Sequence, residues 1–294
     1  MIVRIGIKNL FHDPVRAATA LAGVAFAVLL GVLQIGILEG ASRNASGVID
    51  HAGADVWVLS PNTRKFDFGL SIPERRFYQV LATPGVERAE RVAVAWGEWR
   101  TPDGRQETVC VVGIEPDAEL IGPWGEIEGE PSRIREEGAV VIDQRERERF
   151  GSNGHRLELG DTVEINGRRS SVVAFTREIG SFTTIPYLFT SIDNALEYTR
   201  DYGIDRVTYV LARAEPGVSS EELAAELRRL PSVDALPAAE FSRRTQRSWI
   251  YGTGLGIGLL VTAALGLVVG LVIVGQTIYT MTIEKRREYG TLKA

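Results

Sequence analysis

The uncharged stretch AATALAGVAFAVLLGVLQIGIL, residues 17–38, decides the fold, and a second uncharged stretch at residues 248–283 matches it near the other end. A helix needs about 20 apolar residues to cross the roughly 30 Å hydrocarbon core of a bilayer. Both stretches reach that length, and Leu, Val, Ile, Ala and Gly dominate them. The sequence therefore predicts transmembrane helices at 17–38 and 250–283, the second being tilted or extending past the bilayer surface.

A cleaved signal peptide is the alternative interpretation of the first stretch. Its apolar run is longer than the roughly 7–15 residues that signal peptides use. Glu39 also stands close after the run, where a cleavage site needs a small residue. Both observations favour a helix that stays in the mature protein.

Basic residues at both ends of the chain predict that both ends are cytoplasmic. The whole chain has a net charge of −5, and each end carries about +2. The middle of the chain therefore carries about −9. Arg243, Arg244 and Arg247 oppose this orientation, but long domains are translocated largely regardless of charge. The acidic middle argues against nucleic acid as a partner. The basic residues at the ends are Arg4, Lys8, Arg16, Lys285, Arg286, Arg287 and Lys293.

The middle of the chain, residues 39–249, is predicted to be an extracytoplasmic α+β domain. Pro102-Asp103-Gly104 and Asn166-Gly167 lie between β-branched runs and predict hairpins. Ser219, followed by Glu222, predicts a helix start with a capping box. Strands and helices alternate without a regular βαβ order, which favours a mixed or antiparallel sheet. A second subdomain at residues 191–236 is possible.

The segments next to the apolar stretches are predicted to be helical. Residues 1–16 form a cytoplasmic amphipathic helix, and the first membrane helix continues outward as a stalk. Residues 240–249 form a basic helix that runs directly into the second membrane helix. Trp249 and Tyr251 fit an aromatic belt at the membrane surface.

The sequence holds none of the common catalytic or metal-binding motifs that we sought. A phosphate-binding loop, a nucleophile elbow and a metal-ligand spacing are all missing from it. The single cysteine, Cys110, lies in a valine-rich run and is expected to be a buried thiol. We therefore expect no enzymatic activity, cofactor or metal, and a membrane-anchored hydrolase is disfavoured.

Glycines are concentrated in and just before the second membrane helix. A dinucleotide-binding loop is excluded because no strand precedes them. Several are spaced four residues apart, which places pairs on one helix face and favours close packing of a neighbouring helix or a dimer contact. The residues assigned to helix packing are Gly252, Gly254, Gly256, Gly258, Gly266 and Gly270.

The segment EKRREYGTLKA, residues 284–294, has an order that a simple basic anchor does not explain. It resembles the first cytoplasmic loop of MacB/FtsX-type ABC transporter permeases, with Tyr289 in place of the usual isoleucine. In that family this loop is a coupling helix that docks into the ATPase. The resemblance implies apolar anchors at Tyr289 and Leu292. The residues that it assigns to ATPase coupling are Glu284, Arg287, Glu288, Tyr289, Gly290 and Leu292.

The resemblance extends along the chain. Residues 4–16 resemble the amino-terminal helix of the family, and GADVWV at residues 53–58 resembles the first strand of its periplasmic core domain. The closest similarity is to the DevC-like branch. It implies a permease subunit of the bacterial inner membrane that exports or extracts a lipid-like or amphiphilic substrate. The implied partners are a separate cytoplasmic ABC ATPase, a periplasmic adaptor, a second permease chain and membrane lipid.

The family pattern has four membrane helices, whereas this sequence holds two. We therefore expect a truncated or incomplete chain. A two-span sensor with an extracytoplasmic ligand-binding domain is the alternative function.

Overall fold

The computed structural model describes residues 14–152, 154–182, 185–198 and 205–284. The chain divides into two compact units, which are described separately. One unit holds the chain up to Ala41 and from Ile250 onward. The other, Ser42–Trp249, is called the sheet domain.

Two long helices, called the helix pair, form the first unit, except that residues 42–50 at the end of the first helix belong to the sheet domain. Helix α1 spans Pro14–Asp50 and α7 spans Leu255–Glu284. Within Leu21–Asp50 and Gly256–Thr280, the most apolar windows have mean hydropathies of 2.5 and 2.8, and only 6% and 11% of the residues in these windows are buried. Both helices are thus long and apolar enough to cross a membrane. Helix α1 also begins at a proline, which suits a first helical turn.

Within its described residues, the sheet domain contains four short α-helices and one longer one, besides the end of α1. Ser219 at the start of the fourth forms the predicted capping box with Glu222. The helices are α2 (Arg75–Leu81), α3 (Arg147–Phe150), α4 (Ile192–Tyr198), α5 (Ser220–Leu227) and α6 (Ala238–Ile250, whose last residue falls in the other unit).

The basic helix does not run into the second membrane helix, which corrects the prediction. Helix α6 ends at Ile250, and a turn over residues 251–254 separates it from α7. Gly254 has a φ of 77°, in the left-handed region that glycine adopts at little cost. Two glycines within four residues thus break the helix at this point.

Twelve strands are found within the described residues. They are β1 (Val56–Leu59), β2 (Ile72–Pro73), β3 (Val86–Arg100), β4 (Gln106–Ile114), β5 (Ile127–Gly129), β6 (Ala139–Asp143), β7 (Thr162–Ile165), β8 (Arg168–Thr176), β9 (Tyr187–Ser191), β10 (Arg206–Val207), β11 (Tyr209–Ala214) and β12 (Asp234–Pro237).

One mixed sheet contains all of these strands except β2 and β10. Its order is β12-β1-β11-β3-β4-β9-β6-β8-β5, and β7 pairs with both β3 and β8. The pairs β4–β9 and β6–β8 are parallel, and the other pairs are antiparallel. The predicted α+β class with a mixed sheet is therefore confirmed.

The predicted hairpins are present. Strands β3 and β4 pair from Arg100 and Gln106 outward, across the turn at Asp103. Asn166 and Gly167 join β7 to β8 with φ values of 48° and 75°, as a tight two-residue hairpin turn requires. The local turn chemistry thus fixes the strand register.

The prediction of a possible second subdomain at residues 191–236 is wrong. Strand β11 pairs with β1 and β3, and β12 pairs with β1, so this region completes the main sheet. Adjacent residues of β1 belong to two different hydrophobic clusters, with Val56 and Val58 in one and Trp57 and Leu59 in the other. Because side chains alternate along a strand, apolar clusters cover both faces of the sheet.

Candidate functional site

Most residues assigned to ATPase coupling lie outside the described residues. Glu284 is the last residue of α7. The others are not described by the structure, which therefore does not bring this set together. They are Arg287, Glu288, Tyr289, Gly290 and Leu292.

Glycines lie where the two helices of the pair approach each other. A Cβ atom on Gly266 would lie 2.4 Å from Leu30 Cδ2, and one on Gly270 would lie 2.6 Å from Ala27 Cβ. On α1, a Cβ on Gly23 would lie 2.7 Å from Ile273 Cγ2. No side chain larger than hydrogen fits at these three positions without movement of a helix or its neighbour.

The four remaining glycines of the assigned set have other positions. Gly252 and Gly254 lie in the turn before α7, so they share no helix face with Gly256 or Gly258, contrary to the prediction. A Cβ on Gly256 would meet Ile250 at 2.4 Å, and one on Gly258 would have no described atom within 4 Å. The glycine turn explains the difference, because helical spacing holds only inside a helix.

A buried carboxylate in the sheet domain was missed by sequence reasoning. Asp67 is 5% exposed and lies in a 3₁₀ turn, Phe66–Phe68. The Tyr187 hydroxyl donates a hydrogen bond to its Oδ1 atom, and Trp249 Nε1 donates one to its Oδ2 atom at 3.1 Å. The three residues come from the 3₁₀ turn, β9 and α6, so one carboxylate joins three elements.

Burial raises the pKa of the Asp67 carboxyl above its usual value. The hydrogen bonds from Tyr187 and Trp249 stabilise the charged form and oppose part of this rise. Burial and the neighbouring Asp67 charge also raise the pKa of the Tyr187 hydroxyl well above its usual value. The hydroxyl therefore keeps its proton at neutral pH and remains a hydrogen-bond donor to Asp67.

Aromatic rings hold the 3₁₀ turn in place. The Phe66 ring stacks on Tyr209 with 5.4 Å between centroids and meets Trp57 edge to face at 5.9 Å. The Tyr209 hydroxyl donates a hydrogen bond to the Phe66 carbonyl oxygen at 2.7 Å. Phe241 of α6 packs on Trp57 and Tyr209 at 5.6 and 5.7 Å, so α6 belongs to the same aromatic core.

Trp249 has further contacts besides its hydrogen bond to Asp67. The Lys65 ammonium lies 3.7 Å from the Trp249 ring centroid, within the range of a cation–π interaction. Phe182 stacks on Trp249 with 4.7 Å between centroids. Burial lowers the pKa of Lys65, and the nearby Asp67 charge opposes that change.

The predicted place of Trp249 in a membrane-surface belt is wrong, because its side chain is only 6% exposed. Tyr251, two residues later, is 65% exposed. The sequence placed both beside the second apolar stretch, but the partner of Trp249 is 182 residues earlier in the chain. The one local signal for Asp67 was a single carboxylate between two phenylalanines.

The arrangement around Asp67 is suited to holding structure rather than to covalent chemistry. Cys110 is a buried free cysteine, and burial raises the pKa of its thiol well above the usual value. Among the residues that the structure describes, no cluster of three or more His, Cys, Asp or Glu side chains could hold a metal ion. The site fastens the end of α6 to the core of the sheet domain.

Two groups of known proteins are similar to this chain. Two uncharacterized ABC transporter permeases, from two strains of Mycobacterium tuberculosis, are 24% identical over 265 residues, covering 88% of this chain and 66% of theirs. The periplasmic region of MacB from Actinobacillus actinomycetemcomitans superposes with a TM-score of 0.49 at 14% identity, covering 66% of this chain and 94% of that one. The extracellular domain of the noncanonic ABC-type transporter YknZ from Gram-positive bacteria superposes with a TM-score of 0.43 at 13% identity, covering 62% of this chain and 98% of that one.

The chain thus spans slightly less than two thirds of the length of its curated relatives. The family model described as the MacB-like periplasmic core domain matches residues 17–230, from the first apolar helix through α5. This match confirms the resemblance to MacB/FtsX-type permeases, while the DevC-like branch stays a prediction. Because the match covers most of the sequence, the chain belongs to the family of proteins with a MacB-like periplasmic core domain.

Proposed function

We propose that this chain is the permease subunit of an ABC transporter and that it conveys ATP-driven movement to its sheet domain. The observation that carries the proposal is the attachment of Trp249 to Asp67. Trp249 is the last residue of the sheet domain, and α7 begins six residues later at Leu255. The Mycobacterium tuberculosis relatives are named as ABC transporter permeases, which supports the permease role.

The proposed movement enters through residues 284–294, which follow α7 directly. By the family resemblance this segment is a coupling helix, with Tyr289 and Leu292 as apolar anchors in the ATPase. Glu284, Arg287 and Glu288 are its polar contacts, and Gly290 belongs to the same motif. These two anchors are three residues apart and share one face of a helix.

The turn at residues 251–254 determines what kind of movement can pass along the chain. A continuous helix would convey rotation and displacement together. A turn with a glycine at positive φ can change its angle, so it conveys displacement along the chain and little rotation. The attachment of Trp249 to Asp67 then carries that displacement into the aromatic core of the sheet domain.

The remaining features of the proposal follow the family resemblance. Both chain ends lie in the cytoplasm of a bacterium, and the sheet domain lies outside the inner membrane. The subunit pairs with a second permease chain, works with a periplasmic adaptor, and handles a lipid-like or amphiphilic substrate. A two-span sensor remains the rival function, and it requires no ATPase.

The experiment co-expresses the full chain with its ATPase subunit and measures co-purification from detergent-solubilised membranes. Truncating a buried anchor of an interface costs about 2 kcal/mol or more. Tyr289→Ala combined with Leu292→Ala should therefore release the ATPase, while the chain still inserts into the membrane.

The matched control is Lys285→Ala in the same segment, which should retain the ATPase. If the double variant keeps the ATPase and normal ATP turnover, residues 284–294 are only a basic anchor. The proposed coupling segment is then wrong, and the sensor function is favoured.

A further inference from the structure

A basic cleft lies in the sheet domain beside the end of α6. Its volume is about 430 Å³. Four arginines and one glutamate in its lining give it a formal charge of +3, in a domain that is otherwise acidic. The residues that line it are Arg64, Glu240, Arg243, Arg244, Arg247 and Ser248.

Three of the four arginines lack an acidic partner in the part of the chain that the structure describes. Arg244 lies 3.3 Å from Asp234, but for Arg64, Arg243 and Arg247 no described carboxylate lies within 4.0 Å. Many arginines elsewhere in the domain lie within 4.0 Å of a described carboxylate, including Arg91 with Glu115 at 2.6 Å. Like charges gathered without counter-ions favour binding of an anion.

The cleft is held in shape by the contacts around Trp249. Arg243, Arg244 and Arg247 lie on α6, whereas Arg64 lies in the loop before Phe66. Lys65, the neighbour of Arg64, lies over the Trp249 ring, and Trp249 in turn donates to Asp67. The two walls of the cleft are thus fastened to each other, which reduces the entropy lost when a ligand binds.

The arginines of the cleft are also close in sequence to α7, the second apolar helix. Arg247 precedes Leu255, the first residue of α7, by eight residues, so an extended chain allows roughly 30 Å between them at most. Basic residues near a membrane helix usually lie on its cytoplasmic side, so these arginines are unusual in a segment outside the cytoplasm. A role in binding at the membrane surface explains why basic residues are gathered here.

We propose that this cleft binds the phosphate headgroup of an anionic membrane lipid, on the side of the membrane that carries the sheet domain. Guanidinium groups bind phosphate oxygens through paired hydrogen bonds, and several such groups in one cleft can surround a single phosphate. The site is independent of ATPase coupling, since none of its residues belongs to the segment 284–294.

The test measures lipid retained by the full chain in native mass spectrometry from a detergent solution. The probes are dioleoylphosphatidylglycerol, dioleoylphosphatidylcholine and inorganic phosphate. Each basic side chain near an anionic surface contributes about fivefold in affinity. Arg243→Gln with Arg247→Gln should therefore weaken phosphatidylglycerol retention by about 30-fold and leave the weak retention of phosphatidylcholine unchanged.

The matched control is Arg135→Gln with Arg145→Gln, which removes the same charge from two exposed positions outside the cleft. The control should retain phosphatidylglycerol as the wild type does. A loss equal to that of the cleft variant would show a general charge effect and overturn the site. Displacement of the lipid by an equal concentration of inorganic phosphate would overturn the assignment to a lipid.

A second variant guards against misfolding of α6. Arg64→Gln changes only the loop wall of the cleft and should weaken phosphatidylglycerol retention by about fivefold. Unchanged retention in both Arg64→Gln and the α6 variant would overturn the proposal.

Discussion

The sheet domain and the helix pair are built in opposite ways. In the sheet domain the largest buried side chains are aromatic, and Trp57, Trp99 and Tyr209 are all less than 2% exposed. In the helix pair large apolar side chains are exposed, such as Leu260 at 71%, and the close contacts are made at glycines. The hydrophobic effect of water drives the burial of apolar side chains in a domain such as the sheet domain. Helices in lipid associate instead through close approach of their backbones.

The largest expected effect tests the aromatic core of the sheet domain. Trp57 is fully buried on β1 and contacts Phe66, Tyr209 and Phe241. Removal of such a side chain leaves a cavity, so Trp57→Ala should destabilise the domain by about 3–5 kcal/mol. Thermal unfolding of the full chain in detergent, followed by circular dichroism, measures the loss.

The control for this variant is Tyr78→Ala, because Tyr78 is an aromatic residue of the same domain that is 61% exposed. It should change the melting temperature little. Equal effects of the two variants would mean that the aromatic cluster does not hold the domain together.

Local signals in the sequence predicted much of this domain. The turn at Asn166-Gly167 and the cap at Ser219 depend only on neighbouring residues, and both were predicted. Strand β12 was missed because Asp234–Pro237 is short and contains a proline, and its partner β1 is far away in the chain. Pairing between distant segments leaves no local pattern.

The candidate site shows the same limit. Trp249 stands next to an apolar stretch, and that position predicted a membrane-surface belt. Its actual partner, Asp67, comes from a loop at the opposite end of the domain sequence. The glycines had the reverse problem, because a correct local spacing was extended into a turn at Gly252 and Gly254, where no helix exists.

The intermediate effect tests the helix pair. A Cβ on Gly266 would meet Leu30 at 2.4 Å, whereas one on Gly275 of the same helix has no described atom within 4 Å. Gly266→Leu should therefore push α7 away from α1 at a cost of about 1–3 kcal/mol, and Gly275→Leu should not. A cysteine pair at Thr19 of α1 and Thr277 of α7, which line the same small cavity, measures the separation by the yield of disulfide cross-linking.

The glycine comparison is informative because the two variants add the same side chain to the same helix. Gly266→Leu should lower the cross-linking yield in lipid bilayers, and Gly275→Leu should leave it unchanged. Equal yields from all three proteins would show that α1 and α7 are not held together through this contact.

The smallest effect at neutral pH concerns Asp67, the buried carboxylate of the sheet domain. Replacement by asparagine removes the cost of burying a charge, and it also weakens the hydrogen bonds from Tyr187 and Trp249. These changes oppose each other, so Asp67→Asn should alter stability little at pH 7. The difference should appear in the dependence of stability on pH, measured by melting temperatures across a pH series.

The sign follows from the raised pKa of Asp67. The folded protein holds this proton more tightly than the unfolded chain, so stability falls as the pH rises from 3.8, the ordinary pKa of an aspartate, to the pKa of Asp67 in the folded protein. Across that pH range, the wild type should therefore lose stability relative to Asp67→Asn. At higher pH, the difference in stability between the two proteins should stay constant. Trp249→Phe removes a hydrogen bond that lowers this pKa, so its window should extend to higher pH. Combining Trp249→Phe with Asp67→Asn should abolish the window, and a window that persisted would assign it to another carboxyl group.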